Sequence, residues 1–328
     1  MQARLDASLG FETPLEKVPD VARAAEEAGI AALWTAETSH DPFLPLALAA
    51  EHTERLELGT AIAVAFARSP LVTAATAWDL ARQSRGRFLL GLGTQVRAHV
   101  ERRFGMQWSG RPVAQLREYV AVVHAAWDSW QTGMRPSFRG DHYRFTLMSP
   151  LFDPGPIDHP DIPVYLAGVG AGMTRLAGEV ADGLIVHPLH SRAYLADVVL
   201  PAVAEGVHDA GREAGAVTIA ASVIVATSDA EAAEARRTIA FYASTPTYRG
   251  VLEHHGWASV ADRLSEHARR RRWDELAAEV TDDMLETFAV IAAPEELRSA
   301  IKRHADGLVE RVAPYPPFGS SAWKALRP

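Results

Sequence analysis

Cysteine is absent from all 328 residues. That excludes disulfides, a cysteine nucleophile and thiolate-held metals, and it leaves the redox compartment unread. No apolar run is long enough to cross a bilayer. The opening residues, MQARLDASLGFETP, lack the charged-then-apolar pattern of a leader and begin on a strand-like segment, so a cytoplasmic protein is expected. Basic excess is missing as well: 33 Lys and Arg stand against 41 Asp and Glu, for a formal net charge of −8. Nucleic-acid and anionic-membrane binders need a basic field, so neither partner is expected. The one dense basic run, Arg269-Arg270-Arg271-Arg272, lies in a helical, Glu-containing stretch. It reads as a solvated helix face, with a dedicated anion site as the alternative.

What is present is a steady alternation. Hydrophobic residues make up 48% of the chain, enough for a sizeable core. Strand-like runs span Ala3–Leu9, Ala31–Ala36, Leu56–Val64, Arg87–Leu92, Val164–Ala167, Leu184–Val186, Thr218–Val225 and Leu308–Ala313. Helical patterns lie between them: Thr13 to Ala28 with Gly29 as its C-cap, Leu44 to Thr53, Ser69-Pro70 through Ala81, and Pro112 to Trp130. Further on come Met173 to Val180, Arg192 to Ala214 (kinked or split by Pro201), Asp229 to Tyr242 and Pro294 to Ala305. Two excursions, about 95–161 and 243–288, interrupt the rhythm, and a Pro-rich tail from Pro314 packs on the surface. Strands alternating with helices build a parallel α/β sheet, and eight of them favour a (β/α)8 TIM barrel over an open doubly wound sheet. No linker composition divides the chain, so 1–328 reads as a single domain.

The segment PVYLAGVGAGMTRLAGEVADGLIVHP, Pro163 to Pro188, forms one strand–loop–helix–strand unit. Gly168, Gly170 and Gly172 free its backbone for positive φ and for close approach of a ligand. A glycine loop ahead of a helix N-terminus suits phosphate. It equally suits a plain βα turn, since the spacing is not G-x-G-x-x-G.

Four motifs in order then carry a likeness: Leu33-Trp34-Thr35-Ala36-Glu37, Leu58-Gly59-Thr60-Ala61-Ile62, Gly86-Arg87-Phe88-Leu89-Leu90-Gly91-Leu92-Gly93, and Leu176-Ala177-Gly178-Glu179-Val180-Ala181-Asp182-Gly183. Over roughly Ala3 to Ala313 the chain resembles the luciferase-like family of flavin- and deazaflavin-dependent oxidoreductases. The resemblance implies a (β/α)8 barrel with its ligand at the C-terminal ends of the strands. Glu37, Ala61, Ile62, Gly93, Thr94 and Gln95 would then meet the cofactor. The loop of Gly168, Val169, Gly170, Ala171, Gly172 and Met173 would take its phosphate on backbone amides. The family also implies a cis, non-prolyl Ala61–Ile62 bond behind the ring; packing of small residues in an ordinary trans strand is what the residues alone suggest.

His40 beside Asp41 is the acid–base candidate, because histidine titrates near neutral pH and a neighbouring carboxylate can set its tautomer. The alternative is a loop histidine bonded only to backbone. The order Ser39-His40-Asp41-Pro42-Phe43 departs from the Asp-His order of the relatives, and Gln95 stands near where sugar-phosphate oxidisers place a glutamate. Phe43, His187 and His190 are assigned to substrate contacts. No HxH or HExxH spacing supports a metal held by the two histidines with Glu37. The stretches SHDPFLPLALAAEHT and LGLGTQVRAHVERRFGM look most like the deazaflavin branch, implying coenzyme F420 and hydride transfer to or from a small organic substrate. Arg97, Arg102 and Arg103 would face its glutamate tail or are plain surface charge. An FMN monooxygenase using reduced flavin and O2 is one alternative, and a non-redox, phosphate-binding lyase or isomerase another. The likeness also implies a homodimer, supplied by a separate reductase or F420-reducing enzyme.

Overall fold

The computed structural model describes residues 3–315 together with 318–320, 323 and 326. The chain enters through two short strands, β1 (Arg4–Leu5) and β2 (Ala7–Ser8), and then helix α1 (Val18–Glu27). Next come β3 (Ala32–Thr35), α2 (Leu44–His52), β4 (Glu57–Thr60), β5 (Ala63–Val64), α3 (Pro70–Gln83) and β6 (Phe88–Gly93). The first excursion holds α4 (Arg97–Arg102), α5 (Pro112–Thr132) and an antiparallel hairpin, β7 (Phe138–Arg139) with β8 (Arg144–Phe145). Then follow β9 (Val164–Gly168), α6 (Ala171–Val180), β10 (Gly183–Val186), α7 (Arg192–Tyr194), α8 (Leu200–Asp209) and β11 (Thr218–Ala226). After α9 (Asp229–Ala243), the second excursion is helical: α10 (Arg249–His254), α11 (Ala258–Arg269), α12 (Trp273–Leu276) and α13 (Asp282–Phe288). The chain closes with β12 (Ala289–Ile291), α14 (Leu297–Ala305) and β13 (Arg311–Tyr315).

Each of the eight expected strands is present, and they alternate with helices in the chain order of a (β/α)8 fold. The differences have local causes. The third strand breaks into β4 and β5 at Ala61–Ile62. The helix from Arg192 runs through one π-helical turn, Leu195–Val199, and stops at Asp209 rather than Ala214. Pro201 is the second residue after that turn; having no N–H to donate, it is accommodated by the shifted hydrogen bonds. The eighth strand begins at Arg311, not Leu308, because the N–H groups of Leu308 and Val309 still bond the Ala305 carbonyl at 3.1 Å. The hairpin β7–β8 and the strand β12, which pairs with β11, were not expected from the patterning. Arg269 and Arg270 pair with Glu266 at 2.6 Å each, and Arg272 with Glu275 at 3.0 Å. The basic run is thus a solvated helix end and turn rather than one helix face. In the expected tail, Pro314 and Tyr315 belong to β13, Phe318 donates to the Ser8 carbonyl and Trp323 and Leu326 are buried. Its other residues lie outside the described ones.

Two compact units divide the chain. The first comprises Leu9–Ala167 and Glu179–Gly183. Its strands β3, β4, β6 and β9 are parallel in that order, with Trp34 opposite Gly59, Leu58 opposite Phe88 and Leu90 opposite Val164. Gly59 is needed there: a Cβ would sit 2.3 Å from the Trp34 ring. Ser69 caps α3 through the Val72 N–H, with Pro70 at the first helical position. The Arg87 guanidinium closes the other end of the layer by donating to the carbonyls of Ala50, Thr53 and Leu56. It thereby satisfies carbonyls at the end of α2 and just before β4 that are buried with their residues.

The second unit comprises Met1–Ser8, Gly168–Gly178 and Leu184–Pro328. Within it β13 lies between β1 and β11, all parallel. Asp6 and Arg311 form a buried, forked pair at 2.6 and 3.1 Å, beside the register Leu5–Val312. Gly178 sits so close to α8 that a Cβ would lie 2.2 Å from the Val203 carbonyl oxygen.

Candidate active site

In the first unit the site is built around the break in the third strand. The Ala61–Ile62 peptide is cis, as the resemblance implies. The end of the neighbouring strand clasps it from both sides: Ala61 N–H donates to the Thr35 carbonyl at 2.6 Å, and Glu37 N–H to the Ile62 carbonyl at 3.0 Å. The Glu37 carboxylate then accepts from the Val64 N–H at 2.6 Å and from both arms of Arg68 at 2.7 and 2.8 Å. These side chains are 8% and 18% exposed. Forked guanidinium–carboxylate pairs combine charge with fixed geometry. Glu37 thus braces the segment from 62 to 68. Phe43 is buried, with the Arg68 guanidinium carbon 5.3 Å from its ring centre, so its surface packs the clamp.

Gly93 completes this support. A Cβ there would stand 2.8 Å from Ile62 Cγ1, so the isoleucine rests directly on the glycine backbone. Thr60 ties the two strands by donating to the Gly91 carbonyl at 2.7 Å and accepting its N–H at 2.9 Å. Beyond Gly93 the chain turns at Gln95, whose φ of 62° is uncommon outside glycine. Its own amide oxygen accepts the Val96 N–H at 2.9 Å, and Thr94 donates to its carbonyl at 3.1 Å.

His40 and Asp41 are both exposed, on the loop after the second strand. They are not hydrogen-bonded to each other. Asp41 Oδ1 instead accepts the N–H groups of Phe43 at 2.8 Å and Leu44 at 3.1 Å, holding the start of α2. Among the described residues, the His40 ring makes no hydrogen bond. Both residues border a cavity of about 380 Å³, together with Thr35, Ala36 and residues of the loop after the first strand.

The second unit carries the glycine loop. Gly168, Gly170 and Gly172 all keep ordinary negative or extended φ, contrary to the expectation of positive values. The helix simply begins early, at Ala171, so Gly172 is already in its first turn. Gly168 is a packing glycine: a Cβ would lie 3.1 Å from backbone atoms of Met173 and Thr174. Gly170 is different, because nothing lies within 4 Å of where its Cβ would be. The Gly170 carbonyl accepts from Met173 and Thr174, and Tyr194 donates its hydroxyl to the Val169 carbonyl at 3.2 Å. Among the described residues, the N–H groups of Gly170, Ala171 and Gly172 meet no protein acceptor, as first-turn donors do.

His187 and His190 follow β10 in the same unit. The His187 ring stacks on Tyr248 at 4.2 Å and meets the edge of Tyr242 at 4.4 Å. Burial, with His190 close by, lowers its pKa to about 3. His190 is 3% exposed. It donates Nδ1–H to the His187 carbonyl at 2.8 Å, and burial lowers its pKa to about 4. The His304 ring lies 5.8 Å from that of His190. Both histidines are packed as neutral rings.

Several contacts were not anticipated. Glu37 and Arg68 pair across 31 residues, and nothing local in the sequence joins them. Phe11, Leu15 and Leu44 border the cavity as exposed apolar side chains; the available signal is an apolar Phe and Leu flanking the Thr13-Pro14 helix start. Tyr194, Tyr242 and Tyr248 lie in stretches read only as helices and excursion.

The order of strands and helices is that of a (β/α)8 chain. A family model described as luciferase-like monooxygenase matches residues 1–311. An uncharacterized protein of Mycobacterium tuberculosis is 45% identical over 317 residues, covering 95% of this chain and 92% of its own. A 5,10-methylenetetrahydromethanopterin reductase of Methanolobus tindarius is 28% identical over 323 residues, or 96% of this chain and 94% of that protein. The solved structure of coenzyme F420-dependent tetrahydromethanopterin reductase from Methanopyrus kandleri matches with a TM-score of 0.80 at 23% identity, over 100% of this chain and 97% of that one. The chain belongs to the luciferase-like monooxygenase family, which makes it an oxidoreductase, and its fold is the TIM barrel. Among the described residues, no helix is long and apolar enough to cross a membrane.

Proposed function

We propose that this chain is an F420-dependent oxidoreductase that moves a hydride between the deazaflavin and a small organic substrate. The observation that carries the reading is the clasped Ala61–Ile62 bulge, backed by Gly93, in a family whose solved members include an F420-dependent reductase. The residues present fit the cofactor. The space at Gly170 and the unclaimed amides of Gly170 to Gly172 suit a phosphate at the start of the ten-residue α6. Ala61–Ile62 would support the ring, with Glu37 and Arg68 keeping that support in place. The basic residues on and after α4 would face the tail.

When bound, the deazaflavin supplies or accepts the hydride. The chain's part is to orient ring and substrate and to handle the proton. His40, whose ring has no protein partner among the described residues, gives or takes that proton. Asp41 fixes the loop by holding α2. The same reading makes the protein a cytoplasmic homodimer that meets an F420-reducing enzyme, with exposed Leu71 and Val72 on α3 as dimer surface.

The family's description as monooxygenase favours one other reading, FMN with O2. A thermal-shift series with F420, FMN and NADPH separates them, because a ligand of the native state raises the midpoint. F420 is expected to stabilise the protein; FMN alone would favour the monooxygenase, and no stabilisation by any of the three would end the redox-cofactor reading. His40→Ala should keep the F420 shift and lose turnover. Full turnover in that variant would remove His40 from proton transfer.

A further inference from the structure

We infer that the cavity after the first two strands is the substrate pocket, shaped for an apolar molecule that is neutral or cationic and set against anions; this rests on the proposed F420-dependent reading. Its volume, about 380 Å³, is within the range of small-molecule sites. Phe11, Leu15 and Leu44, 39%, 43% and 56% exposed, all border it. One exposed leucine is ordinary, but three large apolar side chains around one hollow form a patch that water covers poorly.

The charges give the sign of the selectivity. Glu16 and Asp41 line the cavity, and no lysine or arginine does. A phosphate or carboxylate entering there would face two carboxylates without a cation, whereas an amine would be attracted. His40 is the one other ionisable group on the wall. An apolar body in the cavity would leave its hydroxyl or carbonyl beside that ring.

Position links the cavity to the bulge. Thr35 and Ala36 belong to its wall. The Thr35 carbonyl takes the Ala61 N–H at 2.6 Å, and Glu37 N–H reaches the Ile62 carbonyl at 3.0 Å. The residues on either side of Ala36 therefore grip the cis bond itself. A molecule resting on Ala36 lies next to whatever the bulge supports.

Equilibrium binding of 2-naphthylmethanol, 2-naphthylmethylamine and 2-naphthoate tests this, with F420-loaded protein and with protein alone. The alcohol and the amine should bind about tenfold more tightly than the carboxylate, a difference one adverse charge can produce. Leu44→Lys, at an exposed helix start, should reverse the order and bring naphthoate to the front, while its F420 thermal shift shows that it is folded. Three probes bound within about threefold of one another would overturn the inference. So would no probe binding to protein that F420 stabilises, or an unchanged order in Leu44→Lys. If F420 fails to stabilise the protein but the probe order holds, the cavity assignment stands and the F420 reading falls.

Discussion

The loop after the third strand, in the first unit, and the loop after the fifth, in the second, are held by opposite means. Side chains from distant parts of the first unit hold the third-strand loop: Glu37 and Arg68 clamp it, and Ile62 rests on Gly93. The glycine loop is held by its own backbone, through the Gly170 carbonyl, with one outside bond from Tyr194 to Val169. A substitution in the first loop should therefore disturb folding and binding together. In the second, folding and binding should separate.

The largest effect is expected at the clamp. Arg68→Met leaves the Glu37 carboxylate, 8% exposed, without its cation, and should lower unfolding free energy by about 3 kcal/mol in urea titrations. Adding Glu37→Gln to it should recover part of the loss, because the two residues act on one interaction. A single-variant loss below about 0.5 kcal/mol would mean that the pair does not hold the bulge. Next in size is Gly93→Ala, whose methyl must displace the Ile62 side chain. A loss of about 1–2 kcal/mol is expected, in the range of overpacked sites, together with a weaker F420 thermal shift.

Acid separates the regions in another way. The pKa values of His187, His190 and His304 are lowered to about 3, 4 and 4, in each case chiefly by burial. An unfolded chain binds protons at these groups below about pH 6.5, and the folded one does not until about pH 4. Their contribution to stability is therefore complete above pH 6.5 and declines as pH falls toward 4. The urea midpoint should be lower at pH 5 than at pH 7.5, and His304→Asn should flatten that difference. In the first unit burial lowers His124 too, so some slope should persist in the variant.

The smallest structural effect is expected at Gly170. An added methyl meets nothing within 4 Å, so Gly170→Ala should change stability by less than about 0.5 kcal/mol. Its F420 thermal shift should nevertheless shrink, because the methyl would occupy the approach to the amides. An undiminished shift would place the phosphate elsewhere. Gly168→Ala is the control within the same loop: its methyl faces backbone atoms at 3.1 Å, so stability should fall even without cofactor.

By itself the sequence determined the series of strands and helices. Apolar period, Ser69-Pro70 as cap and first helical residue, and Gly29 as a C-cap are local signals, so β3, α2, α3, β6, β9 and β11 lie within a residue or two of their expected ends. The cis bond was legible only through family likeness, since small residues in a strand look alike whichever way the peptide turns. Tertiary structure decided which polar groups meet. His40-Asp41 is a pair in sequence, but the N–H groups of Phe43 and Leu44 at the start of α2 claim the carboxylate. Glu37 finds Arg68 across 31 residues, and His190 finds His304 across a greater span, because folding delivers them to the same place and burial makes each choose a partner or stay neutral. The cavity of Phe11, Leu15 and Leu44 belongs with these, since two loops must be folded side by side before its walls exist.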